Sequence, residues 1–269
     1  MIRPLSLAHL TLLELAPPEL IRIAAIAGFS SVGLRLISVT DTTPGYPLMD
    51  DPHMMRDTLK VMEETGVTVN DIEFVRLTPD FDAKAFTGFL EAGAKLRAKY
   101  IITAPYDPDL ERLTDNLEAF AIHASAFGLK PVLEFFPWTN VPNFQSALRI
   151  VENTGNKSVG VLLDTLHFDR SQSSLSDLAA ADPARLPFIH LCDAPAQVSY
   201  SIEELVHTAR AARLIPGEGS IPLAEILALL PDDIPIVLEV PMEGRLGSTK
   251  VARSAFEFSQ AFFTKVTRT

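Results

Sequence analysis

Two apolar segments of this chain run into an acid: "PVLEFFP" (131–137) carries Glu134 and "PIVLEVP" (235–241) carries Glu239. Two similar segments carry groups of related chemistry, Asp164 in "VGVLLDT" (159–165) and His190 in "PFIHLCD" (187–193). Three carboxylates and an imidazole brought into one poorly hydrated cavity repel strongly unless protons or a cation intervene. This is a mostly oxygen donor set with one borderline nitrogen, which suits Mn²⁺, Mg²⁺ or Co²⁺ and also accommodates Zn²⁺. A divalent ion held there is a Lewis acid beside two glutamates, Glu134 and Glu239, able to take and return a proton. That combination serves isomerisation or epimerisation next to a carbonyl through a metal-stabilised enediolate.

Such convergence requires elements that bring the four residues to one level. Val132, Leu162, Phe188 and Val237 each lie two positions before one of them, so each pair shares a strand face. Further apolar runs recur at 4–10, 31–37, 71–77 and 99–105. Continuous runs without strict alternation suit strands covered on both faces, as in parallel sheets. Helical patterns separate them, at 17–29, 51–66, 82–98, 114–128, 143–155, 174–186, 201–214 and 248–266. Pro17–Pro18 opens the first and Gly28 closes it, while Gly66 closes the second. Eight strands alternating with helices over 269 residues predict a single-domain α/β fold, a (β/α)₈ TIM barrel spanning 1–269. The first strand is followed by "LTLLEL", with none of the glycines of a dinucleotide-binding turn. In such a barrel the last four strands would carry Glu134, Asp164, His190 and Glu239 to its mouth.

The formal charge of −11 disfavours nucleic acid and anionic membrane as partners. One cysteine, Cys192, excludes an intrachain disulfide. No apolar run reaches the roughly 18 residues a membrane span needs, and the N-terminal segment breaks at Pro17–Pro18 before it resembles a signal peptide. A cytoplasmic protein with a small-molecule partner is the expectation, and self-association as a homo-oligomer stays open.

At these residues the sequence resembles the sugar phosphate isomerase/epimerase superfamily, the xylose-isomerase-like TIM barrels, and within it inosose isomerase-like members. "LEFFPWTNVPNFQSALRIVE", "VGVLLDTLHF", "FIHLCDA" and "IPGEGSIPL" carry the likeness. The resemblance implies one divalent metal on Glu134, Asp164, His190 and Glu239, and a sugar or cyclitol substrate. It also implies that His167, in the DxxH pair of "LLDTLHF", faces substrate hydroxyls. Three departures stand out. Gly33 replaces an acidic residue common in relatives, leaving Arg35; Cys192 stands where relatives often have lysine; and Phe136 replaces a histidine common in the family's dehydratases.

Arg35 either clamps a substrate hydroxyl, carboxylate or phosphate, or pairs with Glu73. Trp138 could roof a sugar face; Glu218, in "PGEG", reads as structural. His53, His123 and His207 fall on helices and read as surface residues, and Cys192 as an inert packed thiol. The leading expectation is an isomerase or epimerase of a keto-sugar, sugar phosphate or inosose. The alternatives are a metal-dependent dehydratase of an inosose or 3-dehydroshikimate-like substrate, and a non-catalytic sugar-binding barrel. A multi-metal phosphodiesterase is disfavoured by six histidines and the acidic charge.

Overall fold

Every barrel strand among the described residues is paired on both sides. In the computed structural model, which describes residues 3–40, 42–196, 199–241 and 247–266, the strands close in the order β1 to β8, with β8 returning to β1. They are β1 (Leu5–Leu7), β2 (Ser31–Arg35), β3 (Thr68–Leu77), β4 (Tyr100–Pro105), β5 (Lys130–Glu134), β6 (Gly160–Asp164), β7 (Ile189–Leu191) and β8 (Ile236–Leu238). All neighbours are parallel, so closure leaves no edge strand to be protected.

Long helices form the outer layer: α1 (Pro17–Ala27), α2 (Pro52–Thr65), α3 (Thr87–Lys95), α4 (Leu110–Ser125) and α5 (Phe144–Asn153). Shorter ones follow, α6 (Thr165–Arg170), α7 (Leu175–Ala180), α8 (Ile202–Ala211) and α9 (Leu223–Ala228), before the terminal α10 (Ser248–Val266). Local chemistry sets their limits. Asp51 accepts the amides of His53 and Met54 in front of Pro52, and Gly66 ends α2 in the left-handed conformation. Asn143 with Ser146, and Ser201 with Glu204, form reciprocal capping boxes at α5 and α8.

The helices differ from the sequence expectation in identifiable places. The 82–98 segment begins as a 3₁₀ turn, Ala83–Phe86, and becomes α3 only at Thr87. The 174–186 segment stops at Ala180, and Pro183 starts a separate 3₁₀ turn, because proline has no amide to continue the first helix. The short α6 and α9 were not anticipated. Asp164 ends β6 and caps α6 at once, a dual role that hides the helix start inside a strand pattern.

Alternation along the strands divides the core in two. Val132, Leu162, Phe188 and Val237 meet Ile102, Ala104 and Phe74 inside the barrel. Their neighbours Leu133, Leu163, Ile189 and Leu238 face the other way, into the larger core that includes helix residues such as Leu20, Leu117 and Ile150. Two positions beyond the inner residues, the same face delivers Glu134, Asp164, His190 and Glu239.

Polar residues interrupt the apolar pattern at inner positions such as Ser6 and Asp71. Asp71 of β3 is buried, accepts a hydrogen bond from Asn70 Nδ2 at 3.0 Å, and occupies the space where Gly33 has no side chain. A Cβ on residue 33 would sit 2.6 Å from Asp71 Oδ1. Burial pushes the Asp71 carboxyl up to about 7. Gly33→Ala should therefore destabilise the protein by about 1–3 kcal/mol in urea unfolding, the usual range for overpacking. The loss should shrink in an Asp71→Ala background, and strictly additive effects would contradict direct crowding between the two positions.

Candidate functional site

Strand direction and pleat bring Glu134, Asp164, His190 and Glu239 together at the barrel mouth. Each offers one oxygen or nitrogen atom, and these four atoms lie within 4.8 Å of one another, all on buried residues. Glu134 is the last residue of β5 and His190 the middle one of β7. Glu239 lies one residue past β8, its amide still donating to Leu191 O at 3.2 Å. Asp164 is oriented by the helix it starts: its Oδ1 accepts from the amides of Leu166 (2.8 Å) and His167 (3.1 Å), leaving Oδ2 turned toward the group.

His190 is the informative member. Its ring is buried and neither nitrogen has a hydrogen-bond partner, although Nδ1 stands 3.4 Å from Glu239 Oε2 and 3.9 Å from Asp164 Oδ2. Buried polar atoms are seldom left without a partner, and an orphaned imidazole among three carboxylates is what a metal-binding centre offers. The donor set therefore fits a divalent ion.

A cation not foreseen from the sequence completes the group. Arg213 is buried, with Nη1 2.5 Å from Asp164 Oδ2 and Nη2 2.7 Å from Glu239 Oε2, and its Nε donates to Ala209 O at 2.9 Å. The chain after α8 is held in place by Asp193, whose carboxylate accepts the amides of Gly217 (3.0 Å), Gly219 (2.9 Å) and Ile221 (3.0 Å). Backbone bonds of 2.8 Å in each direction pair Asp193 with Leu214, next to Arg213. The arginine sits in "ARAARLIPGEG", a segment that reads as the end of a surface helix. The helix stops at Ala211, so Arg213 lies on extended chain and turns inward, while Arg210 remains exposed on α8. Residue type alone does not separate the two arginines; the adjoining glycine turn was the available signal.

Charge is unevenly shared among the acids. Burial raises the Glu134 carboxyl well above the usual carboxylate range, and the nearby Glu239 charge adds to the effect. Burial also works against the charged forms of Asp164 and Glu239, but Arg213 holds both below their ordinary values, with His190 adding to the effect on Glu239. Burial likewise opposes protonation of His190, yet the surrounding carboxylates, Glu239 foremost, push it up to about 10. His167 goes the other way, burial lowering it to about 4.

The group opens into a cavity of about 160 Å³. Glu134, Glu239, His167, Arg213, Arg35 and Glu73 supply its polar wall, and Phe74, Tyr106, Phe136 and Trp138 an aromatic one. His167 Nε2 is 3.7 Å from Glu134 Oε1, and its ring meets Phe136 edge to face with centroids 4.9 Å apart. Trp138 stacks on Phe136 at 5.1 Å. Arg35 pairs with Glu73, Nε bonding Oε1 at 3.1 Å, and both residues line the cavity.

Residues set aside from the sequence stay outside the cavity. Cys192 is buried, its thiol pushed up to about 12 by burial. Glu218 belongs to the turn, its carboxylate accepting the Ile215 amide at 3.3 Å. His53 and His207 are exposed, and His123 shares a hydrogen bond with Thr87 at 3.1 Å. No helix among the described residues is long and apolar enough to cross a membrane.

Known proteins share this architecture. An inosose isomerase of Halalkalibacterium halodurans is 28% identical over 156 residues, covering 54% of this chain and 53% of that protein. The match thus spans about half the length of that curated relative. A 3-dehydroshikimate dehydratase of Pseudomonas putida is 26% identical over 121 residues, 45% of this chain and 18% of the other. Among solved structures, the IOLI protein with a zinc atom superposes with a TM-score of 0.77 at 20% identity, covering 98% of this chain and 97% of that one. The family model described as "Xylose isomerase-like TIM barrel" matches residues 21–262. Spanning all but the ends of the barrel, that match establishes that the chain belongs to the xylose isomerase-like TIM barrel family.

Proposed function

We propose that this protein is a divalent-metal-dependent isomerase or epimerase of a keto-sugar or inosose. The observation that carries the reading is the group of four buried donor atoms around an unpartnered His190, opening into a cavity with both aromatic and polar walls. Glu134, Asp164, His190 and Glu239 would hold the ion, with Mn²⁺, Mg²⁺ or Co²⁺ suited to the oxygen-rich set. Bound there, it supplies Lewis-acid polarisation of adjacent carbonyl and hydroxyl oxygens on the substrate.

The proton work falls to the two glutamates, whose surroundings drive their affinities for protons apart. Without an ion in the group, burial favours the protonated form of Glu134, while Arg213 favours the charged form of Glu239. With an ion held by both, each glutamate would work as a ligand carboxylate that exchanges a proton with the activated substrate. Return of the proton to the neighbouring carbon gives isomerisation, and return to the opposite face of the same carbon gives epimerisation. His167, kept neutral by burial and lining the cavity, would exchange a hydrogen bond with a substrate hydroxyl. Arg35 with Glu73 offers a donor and an acceptor to the same polyol, and Phe136 with Trp138 shields the reacting carbons from water.

The inosose isomerase relative supports the cyclitol end of this range. Dehydration of a 3-dehydroshikimate-like acid is the second reading, favoured by the likeness to a dehydratase. Against it, Phe136 supplies no proton at the centre.

Purified protein should bind one divalent ion per chain by elemental analysis. Asp164→Asn and Glu239→Gln should each weaken that binding beyond the roughly 10- to 100-fold that loss of a supporting hydrogen bond costs at a metal centre. Undiminished binding in both variants would place the ion elsewhere. Metal-loaded protein in D₂O should introduce deuterium into an inosose or ketose at the carbon beside the carbonyl, with no loss of water, as read by NMR. Glu134→Gln should slow that exchange by roughly 10²- to 10⁴-fold. Formation of a dehydrated product would instead establish the lyase reading.

A further inference from the structure

β1 is too short to pair with all of β2, its register ending at Leu7 opposite Val32. Beyond that point the chain turns into a 3₁₀ helix, His9–Leu12, which leaves the amide of Arg35 without a strand partner on that side. His9 supplies one: the Arg35 amide donates to His9 Nδ1 at 2.8 Å. Because Nδ1 accepts, the ring is neutral and carries its hydrogen on Nε2, which donates to Leu15 O at 2.9 Å. Burial keeps the ring uncharged by lowering it to about 4. Tyr46, from the connection after β2, stacks on His9 with centroids 5.1 Å apart and planes 12° off parallel. Its amide donates to Arg35 O at 3.0 Å and its hydroxyl to Leu13 O at 2.9 Å.

Both backbone polar groups of Arg35 are thus held by a two-ring clasp, while Glu73 fixes its guanidinium. The same segments place Leu10, Leu13, Val39 and Thr43 on the cavity wall, and the His9 ring itself does not line it. A Phe or Leu at position 9 would fill the volume but leave the buried Arg35 amide unpaired.

We infer that His9 and Tyr46 are positioning residues for substrate binding, locking Arg35 and the β1 and β2 loops into one rigid cavity wall. The claim rests on the reading of Arg35 as a substrate contact. It separates the wall that selects substrate from β5–β8, which carry the metal-binding and proton-transfer groups. Loss of the clasp should therefore weaken substrate binding and leave the chemical step unchanged.

The test has a substrate-independent arm and a kinetic arm. By hydrogen–deuterium exchange, the Arg35 amide should be protected in the wild type and should exchange at least tenfold faster in His9→Phe, with β5–β8 unchanged. Asn at position 9 can present its Oδ1 where Nδ1 stood, so His9→Asn should recover that protection. With Mn²⁺-loaded protein and an inosose, His9→Phe should raise KM and the Kd read from Trp138, the chain's single tryptophan, by roughly tenfold. Its kcat and Mn²⁺ stoichiometry should match the wild type, and His9→Asn should bring KM back toward the wild-type value. Tyr46→Phe, which keeps the His9 bonds and releases only Leu13, should raise KM by a smaller factor and keeps the test open if His9→Phe does not fold. Wild-type Arg35 protection in His9→Phe, or an unchanged KM and Kd once protection is lost, would overturn the clasp. A fall in kcat at constant KM would do the same. If wild-type protein binds Mn²⁺ but neither binds nor converts the inosose, the isomerase reading fails, and the exchange arm alone decides the clasp.

Discussion

Mutual repulsion among buried acids governs the centre of this protein. Three carboxylates lie at the end of a barrel interior whose next layer down is largely hydrocarbon, where unpaired charge is costly. The structure meets that demand unequally. Arg213 compensates Asp164 and Glu239, burial favours the neutral form of Glu134, and the three carboxylates favour the charged form of His190. A divalent cation would displace those protons, which links metal affinity to the protonation of the same groups.

The barrel makes this arrangement affordable because closure and alternation are enforced elsewhere. Side-chain parity on β5 to β8 is fixed by apolar residues on both faces, so no acid can leave the mouth without turning a leucine or valine into the wrong core. The other half of the mouth is organised differently. The β1–β2 ladder stops at Leu7 and Val32; beyond it His9 accepts the Arg35 amide, and the Tyr46 hydroxyl donates to Leu13 O. Four strands hold the charged group, and two loops shape the space above it.

Much of this was legible in the sequence because it depends on parity and on strong punctuation. The barrel followed from recurring apolar runs separated by capped helices. The grouping of Glu134, Asp164, His190 and Glu239 followed from their shared offset of two from Val132, Leu162, Phe188 and Val237. What escaped detection depends on contacts between distant segments. Arg213 and Arg210 look alike in sequence, and the end of α8 at Ala211 sends one into the acid group and leaves the other exposed at the cavity rim. Asp71 was unreadable as the filler of Gly33 because the match lies between strands, not along one. Of the two readings of Arg35, the pairing with Glu73 is the one the contacts bear on, and both residues line the cavity.

The end of β7 ties two parts of the centre into one mechanical unit. His190 enters the acid group directly, and three residues later Asp193 gathers the amides of the glycine turn that anchors the chain next to Arg213. Imidazole and guanidinium are therefore indexed to the same short stretch of backbone. Adding or deleting a residue between them would misplace both at once, so the spacing from His190 to Asp193 is inelastic, and Cys192 within it is buried with its Sγ 3.4 Å from Arg213 Nη1.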